Sequence, residues 1–143
     1  MKVLPVISAW IVPLGFLAGC GGDSAAVVDS RQSAAQAYEK AEQAFNAKNF
    51  AEAKDAYDQC LSGGLPADLL GTARVRRAVC LAEAGDFAAA SEEITALESA
   101  APNLDEVFAA KSYILAKQGK LAESKASWAQ AIRYNRSVKK FGG

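Results

Sequence analysis

Residues that commonly carry out catalysis are scarce in this chain. Its 143 residues include no histidine, and the cysteines are Cys20, Cys60 and Cys80. Without histidine, Cys–His and Ser–His–Asp arrangements are excluded, and most zinc sites lose a ligand. The acidic pairs Glu92–Glu93 and Asp105–Glu106 lie near predicted helix starts, where the helix dipole favours negative charge, so we do not interpret them as an acid–base pair. We therefore expect no enzyme activity, no metal and no cofactor.

The charge balance argues against a nucleic-acid partner. The 16 Lys and Arg residues are matched by 16 Asp and Glu residues, whereas binding to phosphates needs an excess of positive charge. The basic cluster Arg74, Arg76 and Arg77 spreads over more than one face of a helix, which predicts a solvated surface.

The elements that position these residues begin with an export signal. Lys2 precedes an uncharged run from Val3 to Leu17 that Pro5 and Pro13 interrupt. The run is shorter than the ~20 apolar residues of a membrane-spanning helix. A cleaved signal peptide is therefore favoured over a retained transmembrane anchor.

The segment Leu17-Ala18-Gly19-Cys20 closes this run. It resembles the lipobox of bacterial lipoproteins. The resemblance implies that residues 1–19 are removed and that Cys20 carries lipid, which anchors the chain to a membrane. Gly21 rather than aspartate follows the cysteine, which implies an outer-membrane location facing the periplasm.

Residues 20–33 are predicted to form a flexible tether. Small and polar residues such as Gly22, Asp23 and Ser24 dominate, without a helical stripe of apolar residues. A short strand over residues 25–28 is the alternative.

The body of the chain, residues 34–140, predicts an all-α fold. Apolar residues recur there with helical period, and alanine is the commonest residue. Five breaks divide it into six predicted helices, at Lys48-Asn49, Ser62-Gly63-Gly64, Gly85-Asp86, Ala101-Pro102 and Gly119-Lys120.

The six predicted helices form three similar pairs. Residues of similar size recur 37 positions apart from the first pair to the second, and 34 positions apart from the second pair to the third. The small residues before each turn are Ala41, Ala78 and Ser112; those after it are Ala53, Ala90 and Ser124; the large residues that follow are Tyr57, Ile94 and Trp128. Such self-similarity predicts a repeat architecture.

These helix-turn-helix units resemble the tetratricopeptide repeat (TPR) family. The resemblance implies an α-solenoid of three repeats, at about residues 34–67, 71–104 and 105–138, in which small residues let paired helices approach closely. The family's turn glycine is present as Gly85 and Gly119 but is Lys48 in the first repeat. Three basic residues, Lys40, Arg77 and Lys111, replace the usual leucine before the small residue, and we expect their stems to cover apolar surface.

The TPR resemblance also implies a binding groove on the first helix of each repeat. Its predicted residues are Tyr38, Glu42, Phe45, Asn46, Thr72, Val75, Val79, Glu83, Glu106, Ala109, Tyr113 and Lys117. Aromatic residues among mixed charges suit a short peptide or a partner helix. The alternative is that Tyr38, Phe45 and Tyr113 only fill gaps between helices. A carboxylate clamp is not expected, because the matching positions include Tyr38, Glu42 and Glu106.

The last helix predicts a second apolar surface formed by Trp128, Ile132, Tyr134 and Phe141. The alternative is a helix that continues to Lys140 and turns its apolar residues inward.

Cys60 and Cys80 can be either bridged by a disulfide or free. Because the cell envelope is oxidising, a disulfide between neighbouring helices is allowed and would stabilise the fold by ~3 kcal/mol. The alternative is two buried thiols that pack as small hydrophobic groups.

Together these features predict a membrane-anchored adaptor or scaffold that binds a protein partner in the bacterial envelope. The resemblance allows outer-membrane, pilus or secretion assembly without choosing among them. The alternative is a structural lipoprotein that assembles into homo-oligomers through the exposed last helix.

Overall fold

The computed structural model describes residues 22–142, with side chains from Val28 onward. The predicted signal peptide and Cys20 lie outside the described residues. Six helices form the structure: α1 (Gly22–Asn46), α2 (Phe50–Ser62), α3 (Ala67–Glu83), α4 (Phe87–Glu98), α5 (Leu104–Lys117) and α6 (Leu121–Tyr134). Residues 22–142 contain no strand, and the predicted all-α fold is confirmed.

The helices pack in the order in which they occur in the chain. Each helix contacts the next, most extensively within the pairs α1–α2, α3–α4 and α5–α6. Beyond these, α3 contacts both α1 and α5. The odd-numbered helices therefore lie side by side along one surface of the described structure.

Small residues lie where the helices of a pair meet. Ala41 and Ala53 have no exposed surface and belong to the core cluster of α1, α2 and α3. Ala78 and Ala90 are equally buried in the cluster of α3, α4 and α5. In the third pair, the Ser124 hydroxyl donates a hydrogen bond to the carbonyl oxygen of Ser112 over 2.8 Å. Because these side chains are short, other side chains can interlock around them.

The turns inside the three pairs share a left-handed residue. Gly85 and Gly119 have φ values of 86° and 78°, and Lys48 has φ 60° at the matching place in the first turn. Glycine adopts this conformation without steric cost, whereas a residue with a Cβ atom pays roughly 1–2 kcal/mol. The first turn therefore has the same geometry as the others, with strain at Lys48.

The segment predicted as a flexible tether is helical from Gly22 to Ser33, as the first part of α1. Between Asp23 and Ala34 the chain has neither glycine nor proline, and extending an existing helix adds one hydrogen bond for each residue ordered. The same helix includes residues 25–28, for which a strand was the alternative. Residues 28–33 are exposed, so this part of α1 adds nothing to the core.

We predict that Lys48→Gly stabilises the fold. Removing the Cβ relieves left-handed strain, and the greater freedom of the unfolded chain returns part of the gain. The free energy of unfolding, measured by urea denaturation, should rise by about 0.5–1 kcal/mol. The matched control is Gly119→Ala, where an added Cβ meets no atom within 4 Å. This control should destabilise by about 1 kcal/mol, and a Lys48→Gly protein less stable than the parent would contradict the assignment.

Candidate functional site

The surface of α1, α3 and α5 carries a connected polar network, centred on Arg76 of α3. Its guanidinium donates a hydrogen bond to the Glu42 carboxylate of α1, and its second nitrogen lies 3.5 Å from Glu106 of α5. Glu106 also accepts hydrogen bonds from Thr72 over 3.0 Å and from Asn103 over 2.8 Å. One cation thus joins three helices. We call the surface formed by Glu42, Phe45, Arg76, Glu83, Glu106 and Tyr113 the odd-helix face.

Tyr57 of α2 also holds the Glu42 carboxylate in position. Its ring is fully buried, and its hydroxyl donates to Glu42 over 2.7 Å. Burial and the Glu42 carboxylate raise the pKa of Tyr57 above its usual value, so the hydroxyl keeps its proton. Burial opposes the charge of Arg76, but Glu42 and Glu106 outweigh it and raise the pKa of this guanidinium. Arg76 therefore stays charged, and its hydrogen bond and that of Tyr57 hold Glu42 in position.

A second polar group lies at the other end of the odd-helix face. Glu83 of α3 accepts hydrogen bonds from the Tyr113 hydroxyl and, over 2.9 Å, from Lys117. Glu42–Arg76, Thr72–Glu106 and Glu83–Lys117 are each separated by 34 residues. Thr72–Glu106 and Glu83–Lys117 thus join equivalent positions of the second and third helix pairs, whereas Glu42 meets a residue three positions before its own equivalent, Val79.

Phe45 is the aromatic centre of this face. Its ring makes edge contacts with Phe50 at 5.6 Å and Tyr57 at 6.3 Å between centroids. The Arg76 guanidinium lies 5.6 Å from the same centroid, within the range of a cation–π interaction. Phe45 therefore couples the hydrophobic core to the polar network.

Residues 135–142 return from the end of α6 across the odd-helix face, and we call them the return segment. Phe141 meets Phe45 at 6.1 Å and Tyr113 at 6.4 Å between ring centroids. Asn135 donates to Asp105 over 2.8 Å. Two open clefts flank the segment: one of about 340 Å³ between Phe45, Glu83 and Phe141, and one of about 470 Å³ beside Arg76 and Glu106.

The predicted groove residues divide into two groups. Nine have side chains that are half-buried or exposed on α1, α3 and α5: Tyr38, Glu42, Phe45, Asn46, Thr72, Glu83, Glu106, Tyr113 and Lys117. The other three, Val75, Val79 and Ala109, are at most 2% exposed and belong to the interior. Their prediction as contact residues needs correction, because they lie where α3 and α5 pack against neighbouring helices. The role of the nine as a binding groove stays a prediction.

The predicted second apolar surface is not continuous. Tyr134 is 56% exposed and stacks on Phe108 at 5.7 Å, and Ile132 is 38% exposed. The Lys140 ammonium lies over Trp128. Phe141 lies on the odd-helix face, because α6 ends at Tyr134 and the chain turns back. A helix continuing to Lys140, the alternative, is therefore also wrong.

The basic residues that replace leucine form ion pairs with neighbouring helices. Lys40 lies 3.2 Å from Glu52, and Lys111 lies 2.7 Å from Glu98. Arg77 bridges Asp58 of α2 and Glu93 of α4. Arg74 also contacts Glu93, and Arg76 belongs to the polar network. The basic cluster is thus a set of half-buried ion pairs instead of the solvated surface predicted.

Cys60 and Cys80 are free and buried, as in the second of the two states considered. The Cys60 thiol donates to the carbonyl oxygen of Tyr57, and both cysteines belong to the same core cluster. Burial raises the pKa of Cys60, and it raises that of Cys80 to about 12. Both groups therefore pack as neutral thiols.

No helix within residues 22–142 combines the length and the hydrophobicity needed to span a bilayer. Over the same residues, no group of three or more histidine, cysteine, aspartate and glutamate side chains is placed to hold a metal ion.

Sequence reasoning missed the ion pairs that link successive helix pairs. Glu83–Lys117 has a signal, because complementary groups occur there at the 34-residue spacing of the second and third pairs, whereas Glu42–Arg76 falls three residues short of the 37-residue spacing of the first two. It also missed the return segment. No recurring spacing in the sequence indicates that Phe141 packs against Phe45.

No model of a known protein family, no curated protein and no solved structure matches this chain.

We predict that Arg76→Leu destabilises the fold, because Glu42 and Glu106 would face one another without their shared cation. The side chains of all three are less than a quarter exposed. Removing one partner of such a half-buried network should lower the free energy of unfolding by about 2–3 kcal/mol in urea titrations.

The matched control for Arg76→Leu is Arg74→Leu on the same helix. The Arg74 side chain is 41% exposed, and its partner Glu93 keeps Arg77. This variant should lose no more than about 1 kcal/mol. Equal losses at the two positions would contradict the central place of Arg76.

Proposed function

We propose that this chain is a lipid-anchored adaptor of the bacterial envelope that docks another protein on its odd-helix face. In this proposal the three helix pairs are TPR-type repeats, at about residues 34–67, 71–104 and 105–138, stacked as a short α-solenoid. Cys20 holds the lipid, and the outer membrane facing the periplasm is the proposed location.

The observation that carries the proposal is the order of helix contacts. Each of the six helices meets only its neighbours in the chain, apart from the contacts of α3 with α1 and α5. A closed bundle would bring α6 against α1, whereas stacked repeats contact only adjacent repeats. Thr72–Glu106 and Glu83–Lys117 join equivalent positions of the second and third pairs, which fits such stacking.

The odd-helix face has the properties of a peptide-docking surface. Phe45 and Tyr113 offer aromatic contact area, and their positions are fixed by Tyr57 and Glu83. Fixed side chains lose little entropy when a partner binds. The return segment already lies along this face, so the surface has room for an extended chain.

The first part of α1 suits a spacer between lipid and repeats. It covers residues 22–33 and continues directly into the packed part of the helix. Twelve helical residues span about 18 Å, which would hold the repeats off the membrane. The spacer proposed here is therefore a helix, not the flexible tether expected from composition.

Capture of partners by the lipidated protein from cross-linked envelope extracts tests the docking surface. Tyr113→Ala removes an aromatic ring from the odd-helix face and should reduce the yield of the specific partner at least about tenfold. Tyr134→Ala is the matched control, since it removes an exposed ring that stacks on Phe108.

Loss of capture by Tyr134→Ala alone would contradict docking on the odd-helix face. Loss of self-association by this variant, seen when the delipidated domain is sized, would favour the structural alternative.

Radiolabelled palmitate incorporation and membrane fractionation test the anchor. Cys20→Ser should abolish labelling and release the protein from membranes, because the acyl chains supply the membrane affinity. Gln32→Ala, an exposed change in the first part of α1, should leave both unchanged. Membrane retention by the Cys20→Ser protein would overturn the proposed anchor.

A further inference from the structure

We propose that the return segment is an internal ligand of the odd-helix face, and that the partner docks through a segment of the same chemistry, with basic residues followed by an aromatic residue. This inference deepens the proposed function and rests on it. It names the chemistry of the partner and a device that controls access to the face.

The aromatic residue of the segment occupies a defined position. The Phe141 ring stands at 90° to Phe45 of α1 and also meets Tyr113 of α5. Because α1 and α5 are separated by α3, Phe141 bridges two helices that share no direct packing among the described residues. A phenyl ring therefore fits the gap between the outer helices of the face.

Charge complementarity favours a basic occupant. The odd-helix face and its edge carry four carboxylates, from Glu42, Glu83, Asp105 and Glu106, against three cations, from Arg76, Lys117 and Lys48. Lys48 lies at the edge of the cleft next to Phe45. The return segment contributes Arg136, Lys139 and Lys140, and it contains no acidic residue. An acidic or neutral peptide would lack this attraction.

The return segment is held weakly enough to be displaced. Within residues 22–142, none of its three cations forms an ion pair, and Lys140 instead lies over Trp128. Asn135 makes its hydrogen bonds to the helices, from its side chain to Asp105 and from its backbone amide to the carbonyl oxygen of Ala131 at the end of α6. The amides of Ser137 and Val138 bond within the segment, to Asn135. Only Val138 and Phe141 are half-buried, and the other residues are exposed. One ring thus provides most of the contact.

An internal ligand lowers the apparent affinity for an external one. The apparent dissociation constant equals the intrinsic one divided by the fraction of molecules whose face is free. Releasing the segment should therefore strengthen binding of any peptide that uses the same position, without a change in the face itself.

The experiment is fluorescence anisotropy with a labelled peptide that has the sequence of residues 135–143. Phe141→Ala in the full chain removes the bridging ring and should bind the peptide at least about tenfold more tightly than the parent protein does. Tyr134→Ala, the matched aromatic control, should bind like the parent protein. A peptide with alanine in place of phenylalanine, or with glutamates in place of both lysines, should not bind measurably.

Gly142→Val provides a second way to release the segment. Gly142 is exposed with φ 78°, and an added Cβ would lie 2.5 Å from the Tyr113 ring. The substitution leaves all core side chains intact, so it should release the segment even if Phe141→Ala lowers stability. It should strengthen peptide binding as Phe141→Ala does.

Three results would overturn the inference. Equal binding by the parent protein and both releasing variants would show that the segment does not occupy the face. Absence of binding by all of them would reject the basic–aromatic chemistry, whereas docking itself is tested separately by Tyr113→Ala capture. A parent protein that is dimeric, with a monomeric Phe141→Ala variant, would make a second copy's segment the occupant.

Discussion

Close approach of the two helices within each pair is the constraint on which the rest of the structure depends. Ala41, Ala53, Ala78 and Ala90 have no exposed surface, and Ser124 bonds directly to the backbone of Ser112. A larger side chain at any of these places would separate the paired helices and open voids around them. With the helices in contact, the central pair α3–α4 is covered on one side by α1 and α2 and on the other by α5.

Stacking of the pairs determines where the charges meet. Neighbouring odd-numbered helices lie side by side, so Glu42 of α1 meets Arg76 of α3, and Glu83 of α3 meets Lys117 of α5. The basic residues before each small residue are accommodated because a carboxylate of a neighbouring helix lies within reach, as for Lys111 of α5 and Glu98 of α4. Arg76 is paired on both sides, which offsets the cost of its burial. These pairs fix the register of the stack and leave a rigid surface of aromatic rings and paired charges, in which the buried Nε of Arg76 lacks a hydrogen-bond partner among the described residues.

That rigid surface links the fold to the function proposed for it. Phe45 connects the core to Arg76, and Tyr113 is fixed by Glu83, so a chain lying across them meets groups already in place. The return segment supplies such a chain from within the molecule, held mainly by Phe141. A face covered in this manner is protected from non-specific apolar contacts and remains available to a stronger ligand of the same kind.

Local pattern determined the helices, their turns and the small residues between them. Periodic apolar residues, the breaks at Gly85 and Gly119 and the recurrence of Ala41, Ala78 and Ser112 act over a few residues, so composition and spacing were sufficient. Helicity from Gly22 was missed, because that segment has no apolar stripe and is helical by extension of α1. Val75 and Ala109 were misplaced as contact residues, since burial depends on which neighbours cover a helix face.

Only the tertiary structure brought Arg76 between Glu42 and Glu106, and Phe141 between Phe45 and Tyr113. These contacts join residues far apart in the chain. Their energies depend on how the helix pairs stack, and no local sequence pattern encodes that geometry.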